Sequence, residues 1–312
     1  AQLRLHDHTW GVRVKSATEA NILERYCTAF TNCPSTGGTL TLTANDATFN
    51  GQPYDNARWS TDNWTGTTVP QDTPITYEKK TDENTFMKLS GAPTNAGNYR
   101  ASITLKNKAG DDVTATKEFS ISRATLNLDA ANFTFTVPSD LTYTGDPKNA
   151  TVVFASDTTA GGFGEITVKY YDEDGKQLTK APTEAGTYTV KIDVAQGIGY
   201  EAQTDITCDD WKFTINQVPQ ELHFTYPTVN KMYGEASFTN PLKETDIQGT
   251  ITYTSSNENV AKVTSNGTVT ILGATEGTVT IAARTEGTTN YSSAEATFTL
   301  TVAKKGITVS GI

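Results

Sequence analysis

Two histidines and two cysteines early in the chain, His6, His8, Cys27 and Cys33, are the residues best able to hold a metal. Zinc takes four nitrogen or sulfur ligands in a tetrahedron. The spacing here, H-x-H with C-x5-C, is not the C-x2-C and H-x3-H pattern of common zinc sites. In an oxidising exterior a Cys27–Cys33 disulfide closing a short loop is the plainer reading, and free thiols are the third. A second group is aromatic. Trp59 and Trp64, with Tyr54 nearby, could stack on a sugar ring from a loop. Against this, Trp59 could lie on a strand and fill a core.

Other chemistry finds little support. His223 sits in ELHFTYP with no nucleophile motif in view. G-x-S-x-G, H-E-x-x-H and Gly-rich phosphate loops are absent. Asp172, Glu173 and Asp174 invite a calcium reading, but the loop register of a calcium hand is missing, and Asp174-Gly175 reads as a hairpin turn. Cys208 precedes Asp209 and Asp210, and neighbouring acids discourage a reactive thiolate. The expectation is no catalytic residue, no cofactor and no metal.

Composition narrows the partners. The net charge of −10 argues against nucleic acid and anionic lipid. No run approaches the roughly 20 apolar residues of a membrane helix, so no membrane insertion is expected in this segment. A chain of 312 residues with 36% hydrophobic content suits two or three small domains with thin cores. The opening AQLRLHDHTW lacks a basic-then-apolar leader, and the closing KKGITVSGI reads as a first strand without its module. Both suit a piece of a longer secreted protein.

The elements that must carry these residues announce themselves by repetition. GAPTNAGNY (91–99) and KAPTEAGTY (180–188) are nearly the same words, and GATEGTV (273–279) is a looser third. Each precedes strict alternation: Tyr99, Ala101, Ile103, Leu105; Tyr188, Val190, Ile192; Val279, Ile281, Ala283. Alternation after a Gly turn predicts half-buried strands. EFSISRA, KFTINQV and TFTLTVA each end a module with an inward Phe (Phe119, Phe213, Phe298), at intervals of about 90 residues, the length of a seven-stranded sandwich. A new strand starts almost at once after each, so linkers are short. FNGQP (49–53) parallels YTGDP (143–147) as an early turn. Asn266-Gly267 predicts a type I′ hairpin turn in the third module. Residues 16–30, after the alternating WGVRVKS, read as the second half of a hairpin or as a helix, with the hairpin preferred.

The turn followed by A-P-T-x-A-G-x-Y-x-V resembles the MBG-type bacterial Ig-like repeats of large surface proteins, over about 38–123 and 124–217. SSN-x-x-V-A-x-V, NG-x-V and G-x-x-x-G-x-V-x-I in the third module resemble a bacterial Ig-like group 2 domain. The first repeat departs from the pattern with Phe49 in place of Tyr and a longer middle section, 55–72. HDHTWGVRV…CTAFTNC resembles a short Cys-containing lead-in. Tyr99 and Tyr188 resemble the tyrosine corner of Ig sandwiches, where the hydroxyl ties a loop to its own backbone; Val279 replaces it in the third module. The reading is therefore all-β: tandem Ig-like sandwiches in an extended rod, with a lead-in (1–37), modules at 38–123, 124–217 and 218–303, and the start of another strand at 304–312. The resemblance implies an extracellular, cell-surface segment that is structural or adhesive, monomeric, and a partner for glycans, mucin or a host surface protein. The rivals are an accessory carbohydrate-binding segment of a surface glycoside hydrolase and self-association through a sheet edge.

Overall fold

The computed structural model describes residues 9–29, 36–156, 161–274 and 277–306. His6, His8 and Cys33 lie outside them. Among the described residues the fold is all-β tandem sandwich, and the one helical element is a 3-10 turn at Ala130–Asn132. The chain divides into two compact units. One comprises 1–134, 153–167 and 192–206; the other comprises 135–152, 168–191 and 207–312. The middle segment, 124–217, contributes to both.

In the first unit a four-stranded sheet runs Trp10–Val14, Ile22–Cys27, Thr36–Ala44, Ala57–Asp62. The lead-in is thus a hairpin, with Trp10 opposite Cys27 and Val14 opposite Leu23. It adds two strands to the sheet of the first sandwich. The facing sheet has five strands, ordered Ala47–Thr48, Asp112–Ser122, Gly97–Lys106, Thr76–Asp82, Thr85–Lys88. Alternation decides what lies between the sheets. Tyr99, Ala101 and Ile103 point inward and are buried with Leu23, Leu40, Leu42 and Phe119. Each large apolar side chain so buried contributes about 1.5–3 kcal/mol.

The second unit holds the third sandwich. Thr228–Met232, Ala294–Ala303, Thr278–Thr285 and Ile251–Ser255 form one sheet, and Phe238–Thr239, Thr268–Ile271 and Ala261–Val263 the other. Val279, Ile281 and Ala283 are buried against Phe298 and Leu300. The strand Gly186–Val194 carries Tyr188, Val190, Ile192 and Val194 inward by the same rule.

One turn differs from expectation. Gly267 has φ +78°, but Asn266 is not in the left-handed region, which a type I′ turn needs at both central residues. Thr264 N–H donates to Thr268 O and Gly267 N–H to Thr264 O, so the loop has three residues with Gly at its left-handed end. The hairpin at Asp172–Lys176 closes the same way, with Gly175 at φ +77°.

Candidate functional site

The repeated words build two things at once. The first is the corner. Tyr99 donates its hydroxyl hydrogen bond to Asn95 O at 2.7 Å, and Tyr188 donates to Glu184 O at 3.0 Å. Gly97 and Gly186 (φ +155° and +152°) sit under these rings, and the tyrosine hydroxyl oxygens lie 3.2 and 3.4 Å from where a Cβ would stand.

The second is a junction with the segment that follows. Within the first unit, Ala96 N–H donates to Ile198 O at 2.8 Å and Ala124 N–H to Gly199 O at 2.9 Å. Arg123 Nε donates to Gly197 O at 2.8 Å, and the Phe49 and Tyr200 rings meet edge to face at 5.2 Å. Within the second unit the same positions are used again. Ala185 N–H donates to Asn290 Oδ1 at 2.8 Å, Val218 N–H to Asn290 O at 2.8 Å, and Gln217 Nε2 to Thr288 O at 3.0 Å. Tyr143 meets Tyr291 at 5.8 Å, again edge to face. Parallel bridges Ala124–Tyr200 and Val218–Tyr291 complete the correspondence. Phe49 and Tyr143 are held alike, each donating its N–H to the last strand of its own module, at Ser122 O and Asn216 O (both 2.9 Å). Tyr233 donates to Ala303 O in the same way at 2.9 Å, and its side chain is 48% exposed.

The sequence-predicted platform is not a platform. Tyr54 is 6% exposed, stacked on Phe119 at 4.1 Å, with its hydroxyl donating to Asn45 O. It is a core residue, because the turn of FNGQP directs the next side chain inward, where the Tyr54 N–H donates to Pro93 O. Burial pushes its hydroxyl pKa up to about 12. Its counterpart in the middle segment is Lys148, whose N–H donates to Pro182 O. Lys148 is equally buried and reaches Asp140 at 2.9 Å. Trp59 lies on Ala57–Asp62, half-buried against the core, with Nε1 donating to Thr73 O. Trp64 is also partly buried against the same core, with its Nε1 donating to Thr67 O.

Trp64 belongs instead to a group that pattern reading missed. The Arg25 guanidinium lies over its ring at 4.6 Å and donates from Nη2 to Thr67 O. Trp10, Val12, Val69 and Leu105 join them around a cleft of about 340 Å³, rimmed by Lys106 and Lys108. Only the hairpin pairing of the lead-in brings Trp10 and Arg25 to that place, so no local motif signals it.

The remaining candidates are placed as follows. Cys27 is disulfide-bonded, and Cys208 is a half-buried free thiol. Asp172 Oδ1 accepts from the N–H groups of Asp174 and Lys176, which occupies it within the turn. His223 Nδ1 lies 2.7 Å from Glu244 Oε1 at the surface. No group of three or more potential metal ligands occurs among the described residues. No helix of the described residues is long and apolar enough to cross a membrane.

Neither a family model nor a curated protein matches the chain. Solved structures that resemble it do so at low identity. Domains 1–6 of the surface layer protein SbsC are 17% identical (TM-score 0.22), over 75% of this chain and half of that one. Three N-terminal domains of the bacteriophage RB49 outer capsid protein Hoc are 13% identical (TM-score 0.28), over 86% of this chain and all of that one. Drosophila N-cadherin EC1-3 is 11% identical (TM-score 0.22), over 77% and 92%. Likeness at this level carries no argument about function.

Proposed function

We propose that the chain is a non-catalytic, structural segment of an extracellular surface protein, in which docked β-modules carry a binding surface. The supporting observation is reuse. The strongest sequence signal in the chain is spent on a corner and a junction, made twice from equivalent residues. The repeated residues are thus accounted for by folding and docking. The segment acts as a monomer, and its modules are of the bacterial Ig-like kinds that the repeated words resemble. The test pairs Phe49→Ala and Tyr143→Ala with hydrogen exchange at the partner loops. Loss of protection at 197–200 and 288–291 respectively is expected, with no turnover of glycoside, ester or peptide substrates. Unchanged protection, or turnover, overturns the reading.

A second reading adds recognition. Of glycan, mucin and protein partners, a glycan is favoured by the cleft beside Trp10 and Trp64, since aromatic faces with a polar rim suit sugar rings. The same property would serve an accessory segment of a glycoside hydrolase.

A further inference from the structure

The loop that closes the strand pair at the end of each module has two uses in this chain. In the second and third modules, the loops at 195–202 and 286–293 carry Tyr200 and Tyr291 into a junction. In the first module the equivalent loop is the tight hairpin Asn107–Asp111, where Asn107 N–H donates to Asp111 O. It has no aromatic residue, and it presents Lys106 and Lys108 to the Trp10–Trp64 cleft.

Resting on the glycan reading, we propose that this cleft binds an acidic sugar, one bearing a carboxylate or a sulfate. Val12 and Val69, both nearly buried, and Leu105 give it an apolar floor. Thr67 and Thr68 give it a rim of hydroxyl groups able to bond ring hydroxyls, while the Asn107 amide is held by Asp111. Three cations, Arg25, Lys106 and Lys108, converge there on a chain whose net charge is −10. Lys106 has a carboxylate partner in Asp112, at 2.5 Å. Arg25 makes no ion pair among the described residues, and its Nε is buried without a hydrogen-bond partner. Burial lowers the Arg25 pKa from its ordinary value, yet a guanidinium stays charged at neutral pH. A partly buried cation lying over an indole gains more from an anion than a solvated lysine does.

The experiment uses the full chain and follows tryptophan fluorescence and heat on titration at low salt. The probes are an oligosaccharide of alternating hexuronic acid and N-acetylhexosamine, its carboxyl-reduced neutral form, a sulfated oligosaccharide without carboxylates, and oligoglutamate. One or both acidic sugars should bind at least about tenfold more tightly than the neutral form and than oligoglutamate. Which acidic sugar binds identifies the anion. Lys108→Ala, at an exposed position, should weaken binding about threefold or more without moving Tm, and Arg25→Gln should weaken it further. Equal binding of the neutral form overturns the acidic proposal and leaves the glycan reading standing. Absence of sugar binding overturns both, and oligoglutamate binding as tightly reassigns the cleft to acidic peptide. Affinity unchanged in both variants removes the site from this cleft.

Discussion

The two junctions follow one backbone plan with two chemistries. The first is built on glycines and rings. A Cβ on Gly197 would stand 2.1 Å from Gly162 O, and one on Gly199 would stand 2.3 Å from the Phe49 ring. Phe163 stacks on Tyr200 at 4.2 Å, so three rings meet there. The second junction has Thr288 and Asn290 at the equivalent positions. Asn290 accepts from Ala185 N–H through its side chain and donates from Nδ2 to Glu184. What the first junction achieves by close approach of backbones, the second achieves with an amide side chain. The shared part is therefore the parallel bridge and the ring anchored to the last strand, and the filling between them is free to vary.

That division can be broken experimentally. The largest effect should come from Gly197→Ala, where the new methyl meets the backbone of Gly162 and Phe163. A local loss of about 3 kcal/mol is expected in hydrogen-exchange protection around 162 and 197–200, against less than about 0.5 kcal/mol for Thr288→Ala. Equal effects would mean that the close approach has no energetic role. Phe49→Ala should cost about 2 kcal/mol at its own junction, and Tyr143→Ala less, because two rings meet there rather than three. Denaturant titration followed at each junction resolves the two. Tyr99→Phe and Tyr188→Phe should each cost about 1 kcal/mol by removing one hydrogen bond, and similar values would confirm that the corner is independent of the junction beside it.

The smallest effects at neutral pH separate Tyr54 from Lys148. Tyr54 has a raised folded pKa of about 12, so its contribution is complete below the ordinary tyrosine value near 10 and is lost as pH rises through 12. Asp140, the partner of Lys148, is held below the usual carboxylate range by the Thr142 N–H and then by Lys148. Its contribution is complete above the ordinary carboxylate value and disappears as pH falls through the depressed one. In melts across pH, Tyr54 thus adds an alkaline sensitivity to the first module, and Asp140 an acid sensitivity to the middle segment. Lys148→Met should abolish the part of the acid sensitivity that this lysine causes.

The strands were legible because alternation with a buried face is a local signal, and Tyr99, Tyr188 and Val279 each lead a buried row. The hairpin of residues 10–27 was legible from the alternation of WGVRVKS. The exact turn at Asn266 was not, since an Asn-Gly pair is compatible with either two or three loop residues, and register decides. The site was harder. Tyr54 beside two tryptophans suggests a platform, but proximity in sequence does not say that all three turn toward the core. Trp10, Arg25 and Trp64 meet only through strand pairing across the sheet, so no spacing could reveal them. The junction loops gave no signal: Thr288 and Asn290 stand in one where Gly197 and Gly199 stand in the other, and only their place relative to Tyr291 and Tyr200 is shared.

A single residue, Arg123 or Gln217, separates the carbonyl that anchors one module's ring, on Ser122 or Asn216, from the residue that bridges to the next, Ala124 or Val218. A spacer of one residue has a phase. Adding or removing a residue there would turn the following strand over and present its wrong side to the ring. Modules joined here can thus be exchanged without disturbing their neighbours only where that one-residue count is kept, and an insertion of odd length would present the following strand the wrong way round.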